Sequence, residues 1–334
     1  MGNSTASNVV RLTANVRSGR SVTFRFSLMD LVDHIVLLRR IISRPEMTGK
    51  SDWLKSVIHD YCYQMSHNSL MSKRQQSKLP LEIEWIWHVH RLHPRHYLND
   101  CLEKIPGNYL IDKKIHKYSI QQYPLYAPID RRQIQTASTL SFVPSIDLLE
   151  AVLRQKSFLE KFERHPFFSI DIARIDANLF QNYVENYVCF LKLARENQII
   201  VPSFDIDLIW HTHLRHPLSY IEVTKSLCGF VLDHDDSISQ EKLSESYRKT
   251  AELWTLTYNT NYGHHSISSD LSHANLSARN KTHQTTTDTS GCGGSNDFYI
   301  RVADTRDFSG TSEGSGDGGG GDGDGGGCGG CGGD

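Results

Sequence analysis

Glu84-Trp85-Ile86-Trp87-His88-Val89-His90-Arg91-Leu92-His93-Pro94, with Tyr97 three residues on, is written a second time as Asp207-Leu208-Ile209-Trp210-His211-Thr212-His213-Leu214-Arg215-His216-Pro217, with Tyr220 three residues on. The offset from Trp87 to Trp210 is 123, and it holds at every matched position. The shared pattern is acid-x-Ile-Trp-His-x-His-x-x-His-Pro-x-x-Tyr. Tryptophan and histidine are uncommon residues, so two chance copies are not expected. An internal repeat of this kind marks two related units, each needing its neighbour to bury its own apolar face.

The similarity extends outward from the phrase. An aromatic-rich stretch precedes each copy (Tyr61 and Tyr63, then Tyr183 and Tyr187), and Gly and Leu follow in similar places (Gly107 and Leu110, then Gly229 and Leu232). The surrounding apolar period is mostly 3.6, the signature of amphipathic helices. Leu28, Leu31, Val32, Ile35, Leu38 and Ile42 share one helical face, with Ser27 placed to cap and Asp30 three residues on. Further helices are predicted over 52–66, from a Ser145 cap through Leu159, over 174–197 and over about 239–258. Leu79-Pro80 and Val201-Pro202-Ser203 lead into the two phrase helices. No alternating strand pattern stands out. The expected fold class is therefore all-α, with two pseudo-symmetric helical repeats (about 23–130 and 131–262) forming one globular domain over 23–262. A flexible arm over 1–22 precedes it.

Beyond 262 the composition changes. Residues 263–290 are rich in Ser, Thr, His and Asn, and residues 291–334 hold 18 of the 24 glycines. Such a segment cannot bury enough apolar surface to offset its ordering entropy, so 263–334 is expected to be a disordered, low-complexity tail. Only Asp297–Val302 could form a short ordered element there.

The bulk numbers exclude some functions. The chain has 334 residues, a net charge of -2 and a pI near 6.8, which gives no general basis for binding nucleic acid or a membrane surface. It has no apolar leader and no apolar run long enough to span a bilayer, so a soluble, cytoplasmic protein is expected. Seven widely spaced cysteines, an odd number, then argue for reduced thiols. Met1-Gly2-Asn3-Ser4-Thr5-Ala6 approaches a myristoylation signal, but Ala6 stands where Ser or Thr is required, so anchoring at Gly2 is the minor reading.

The phrase can be read as chemistry. At 100° per residue, His88 and His90 lie about 200° apart and cannot bind one ion from an intact helix. Glu84 with His88, and Asp207 with His211, share a face at i, i+4. Pro94 and Pro217 must kink or end their helices. The first reading is structural. Trp87, His90, Tyr97, Trp210, His213 and Tyr220 act as core elements, with each acid-histidine pair a buried polar link. The second is a metal site built from Glu84, His88, Asp207 and His211 across the pseudo-twofold, suited to zinc. The third is general-base catalysis by His88 or His211. Two smaller signals remain. Leu232-Asp233-His234-Asp235-Asp236 could hold a cation, but reads more simply as a solvated capping loop before Ser237. Cys328-Gly-Gly-Cys331 has metal-ligand spacing, though only one such pair is present.

At these residues the chain resembles the glycine-rich domain-containing protein family. Pro80–Pro94 with Asp100-Cys101, Val201–His213, Gly229–Asp236 and the Gln122-Tyr-Pro-Leu-Tyr linker carry the resemblance, over roughly 25–260. The resemblance implies a helical module without an established enzymatic activity, linked in plants to growth and osmotic-stress responses. Some members of that family carry an RNA-recognition-like segment. However, no aromatic RNP-type strand motif is present here and the tail is acidic, so nucleic acid is not an expected partner. In the family the residue before each proline is commonly not histidine, which leaves the first two histidines of each phrase as the better candidates. The leading expectation is a non-enzymatic interaction or scaffold module with a protein partner and no required cofactor. The alternatives are a zinc-type site in the acid-histidine pairs and RNA binding through the tail.

Overall fold

The computed structural model describes residues 9–15, 21–117, 142–171 and 175–263, with side chains from Phe24 onward. All of them fall within one unit spanning Met1–Ala303. The glycine-rich tail, the Asp297–Val302 segment, the Gln122–Tyr126 linker and Gly2 lie outside the described residues.

The fold is largely helical, as its periodicity predicts. Helix α1 (Leu28–Ile42) starts on a full capping box: Ser27 accepts from the Met29 amide and Asp30 accepts from the Ser27 amide. Helix α2 (Asp52–Ser66) is capped by Ser51 and the short α3 (Lys73–Ser77) by Ser72. The first phrase then forms α4 (Leu81–Arg91) and α5 (Pro94–Glu103). Pro94 both ends one helix and opens the next, because a proline without an N–H is tolerated in a first turn and not in an interior. Helix α6 (Leu148–Glu163) and the single turn α7 (Pro166–Ser169) cross to the second half. There α8 (Ala177–Leu193), α9 (Phe204–Leu214) and α10 (Pro217–Cys228) repeat the α2, α4, α5 arrangement, with Pro217 again at a first helical position. Helix α11 (Gln240–Tyr258), capped by Ser239, packs on α8.

Helix α1 packs against both α4 and α9 and so sits at the seam of the two halves. The turn after each phrase needs a left-handed backbone, and each has a glycine there: Gly107 at φ 94° and Gly229 at φ 87°. At Gly107 a Cβ would also collide with the Tyr109 ring.

The structure departs from the sequence reading in three places. Val9–Asn15 and Ser21–Ser27 form an antiparallel hairpin, β1 and β2, where no strand was expected. Its purpose is visible at Phe24 and Phe26, both buried and packed against His213, Tyr187 and Phe180. Asp147 rather than Ser145 caps α6. Ser145 instead donates its amide to Asp100 Oδ2 at 2.8 Å, tying the segment before α6 to α5. Cys62, Cys101 and Cys228 are free thiols, whereas Cys189 is disulfide-bonded, against the expectation of uniformly reduced cysteines.

Trp85, Trp87 and Trp210 are all core residues, none more than 3% exposed. Trp210→Ala should therefore cost about 3–5 kcal/mol in denaturant unfolding, the range for deleting a large buried aromatic side chain. A loss below about 1 kcal/mol would mean the ring is not part of the core.

Candidate metal centre

The two phrases are wired alike. Trp87 Nε1 donates to Tyr97 Oη at 2.8 Å, and that hydroxyl donates to the Ile111 carbonyl at 2.8 Å. In the second half Trp210 Nε1 donates to Tyr220 Oη at 3.0 Å, and the hydroxyl donates to the Leu232 carbonyl at 2.6 Å. His90 Nδ1 meets the Tyr61 hydroxyl at 2.8 Å, and His213 Nδ1 meets the Tyr187 hydroxyl at 2.9 Å. Nε2 of His90 then faces Asp100 at 3.0 Å, and Nε2 of His213 faces Ser219 at 3.2 Å. Burial holds both imidazoles below their ordinary pKa, His213 at about 3. The neutral ring with its proton on Nε2 satisfies both contacts in each case. The second histidine of each phrase is thus committed to holding its own helix pair.

The tyrosine tether fixes the chain that returns after each phrase. Two residues beyond the tethered carbonyl stand Lys113 in the first half and His234 in the second. Both point back at the phrase acid. Lys113 Nζ lies 4.0 Å from Glu84 Oε1, and His234 Nε2 lies 3.9 Å from Asp207 Oδ1.

From this common frame the halves diverge. Glu84 is buried among cations: Arg215 Nη2 at 3.3 Å, Lys117 Nζ at 3.3 Å and Lys113. Arg215 also reaches Asp33 of α1 at 2.7 Å, and Lys113 reaches it at 2.9 Å. Burial lowers the Lys113 pKa, with repulsion from Arg215 adding to it and the two acids opposing it. Two acids and their cations close this network internally, as buried charges require. Arg215 has no counterpart that could serve Asp207, because the position 123 residues earlier is Leu92.

Among the described residues, Asp207 accordingly has only imidazole nitrogens as cationic partners within 4 Å. Its Oδ1 lies 3.4 Å from His211 Nε2 and has no hydrogen-bond donor. His211 Nε2 in turn lies 2.9 Å from His234 Nε2. The rings are held firmly: Phe158 stacks on His211 at 4.2 Å, and Trp210 meets His234 edge-on at 5.0 Å. Burial raises the Asp207 pKa to about 6, so the carboxyl is mostly ionised at neutral pH. Burial, then the neighbouring His234, holds His211 well below its ordinary value, so it stays neutral. One anionic oxygen and two imidazole nitrogens meet at separations of 2.9, 3.4 and 3.9 Å. Donors around a tetrahedral zinc, with bonds of roughly 2.0–2.1 Å, lie about 3.3 Å apart. The residues present fit such an ion. The cluster lies in the wall of a cleft of about 450 Å³ between α6, α9 and the return chain.

Of the four residues proposed from sequence as ligands, Asp207 and His211 stay together, while Glu84 and His88 do not join them. Among the described residues only Asp207, His211 and His234 gather ligand atoms within 4.8 Å. His88 is fully buried at the seam, 4.9 Å from the His34 ring and 6.3 Å from the His211 ring, and neither of its nitrogens has a hydrogen-bond partner. The Glu84–His88 pair is therefore not formed. His93 and His216 contact acids from elsewhere, Asp236 at 3.8 Å and Asp30 at 3.0 Å. His234 is the third member of the cluster and lies outside both phrases. It sits in the acidic stretch read as a capping loop, and that stretch does more: Asp236 binds Arg154 and Gln155, each at 2.8 Å, while Asp235 alone accepts from Ser237. The 123-residue offset does not pair His234 with Lys113, because the tethered carbonyls of Ile111 and Leu232 stand two residues out of that register.

Comparison with known proteins bears out the family resemblance. A model of the family described as glycine-rich domain-containing protein-like matches residues 112–223, which include Lys113, Asp207 and His211. Glycine-rich domain-containing protein 1 of Arabidopsis thaliana is 32% identical over 212 residues, covering 55% of this chain and 25% of the relative. Glycine-rich domain-containing protein 2 of the same plant is 31% identical over 211 residues, covering 55% and 26%. These matches show that the chain is similar to glycine-rich domain-containing proteins over part of its length. The chain spans about a quarter of the length of these curated relatives. No solved structure matches.

The first-half wiring makes a pH prediction. Burial alone would raise the Asp100 pKa, but hydrogen bonds from His90, Lys104 and the Ser145 amide bring it to about 2, below its ordinary 3.8. A depressed carboxylate stabilises the fold above its unfolded pKa, and that stability is lost as pH falls through the folded value. Stability should therefore decline between about pH 4 and pH 2, and Asp100→Asn should flatten the decline. Denaturant midpoints measured across that range provide the check.

Proposed function

We propose that this protein is a helical cation-binding module whose second repeat holds one zinc-type ion on Asp207, His211 and His234. The observation that carries the reading is the buried Asp207 oxygen, unpaired except for two convergent imidazole nitrogens. Leaving a carboxylate oxygen without a donor is costly, and an ion would remove that cost. One carboxylate and two imidazoles suit zinc and neighbouring first-row ions. The interaction-module reading rests on the repeat architecture and the family alone, and a loaded ion site is compatible with it. No helix among the described residues is long and apolar enough to cross a membrane.

The first repeat carries no second site in this account, because Lys113 and Arg215 already neutralise Glu84. Elemental analysis after zinc loading and dialysis should give one equivalent per chain. His211→Ala with His234→Ala should give none while circular dichroism still reports a folded chain. His88→Ala should retain the full equivalent. Two equivalents, none, or a loss confined to His88→Ala would each refute the assignment.

A further inference from the structure

We infer that the ion held by Asp207, His211 and His234 carries an oxyanion, the phosphate or carboxylate group of a small molecule, with Lys161 as that anion's second partner. The inference rests on the cation reading above and adds the class of ligand. Three protein donors leave an open position on a four-coordinate ion, and here that position faces a cleft rather than the core. A volume of about 450 Å³ suits a small molecule and is too large for a water ligand alone.

The charges of the cleft wall favour an anion once the ion is present. Arg95, Arg154, Lys161, Arg195 and Lys242 face Asp207, Asp233, Asp235 and Asp236 across it. Five cationic groups against four acids nearly balance, and a divalent ion would turn the balance clearly positive. Most of the cationic groups are already engaged. Arg154 is fixed on Asp236 at 2.8 Å, Arg95 on the Val231 carbonyl at 3.0 Å, and Arg195 on the Lys192 and Ala194 carbonyls, each at 2.8 Å. The ammonium groups of Lys161 and Lys242 make no such contact among the described residues. Lys161 stands three residues beyond Phe158 on α6, and Phe158 is the ring stacked on His211. Residues three apart share a helix face, so Lys161 lies beside the ion position and within the electrostatic reach of Asp207. An ion on one side and a free ammonium on the other form a clamp for a doubly liganded oxyanion.

The test uses the full chain loaded with Co2+, whose visible spectrum reports its coordination sphere. Inorganic phosphate and acetate are titrated separately, with chloride at matched ionic strength as the control. The expected result is a saturable spectral change with at least one of the two oxyanions and none with chloride; the stronger arm identifies the ligand as phosphorylated or carboxylated. Lys161→Met should weaken that binding about tenfold, the worth of a charged hydrogen bond, and leave Co2+ affinity unchanged. A spectrum unmoved by both oxyanions, or a Lys161→Met variant that binds them equally well, would overturn the inference while the cation site stands. Equal oxyanion affinity in the metal-free chain would also overturn it. A chain that takes up no Co2+ would instead remove the cation reading, and this inference with it.

Discussion

The hydrogen-bond relay from tryptophan through tyrosine to a backbone carbonyl is the constraint on which the rest of the structure depends. In each half it runs from the middle of a phrase helix, through the tyrosine one turn past the proline, to the chain returning over that helix. All its members are buried, so each donor must be satisfied inside the protein. The relay therefore sets the register of the return chain against the phrase. It decides which side chain, Lys113 or His234, is presented to the phrase acid.

The two halves use that register for opposite ends. In the first, an ammonium and the guanidinium of Arg215 close on Glu84, and the network extends to Asp33 on the central helix. Removing one member of such a buried network leaves an uncompensated charge, so this half is a structural lock between the repeats. In the second, Leu92 marks the missing guanidinium and His234 replaces the ammonium. Asp207 is left with two imidazoles, at the wall of a cleft rather than at the seam. The differences at these two places, Leu92 against Arg215 and Lys113 against His234, account for a candidate site in one repeat and a lock in the other.

Much of the fold was legible because the signals were local. The Ser27 box and the prolines at 80, 94, 202 and 217 mark helix ends by chemistry that acts within one turn. The hairpin was missed because Phe24 and Phe26 are its clear inward positions in a short polar segment, and their partners are remote in sequence. The site was half legible. Helical spacing correctly separated His88 from His90 and joined Asp207 to His211. It could not anticipate that Glu84 is claimed by Arg215 from the other repeat and by Lys113 from the return chain. Nor could it join the Leu232–Asp236 stretch, weighed only as a separate cation holder, to Asp207 and His211, because the place of His234 is set by a tether to the carbonyl two residues before it.

The central claim is that the residue presented by the tethered return chain decides whether an acid-histidine pair is a lock or a cation site. The His234→Lys variant tests it most directly, by giving the second half the ammonium that the first already has. Zinc content and thermal unfolding of this variant, compared with the metal-free natural chain, are the measurement. The account predicts no bound zinc and a midpoint at or above that of the metal-free chain, as the new ammonium pairs with Asp207. Zinc retained at full stoichiometry would contradict it.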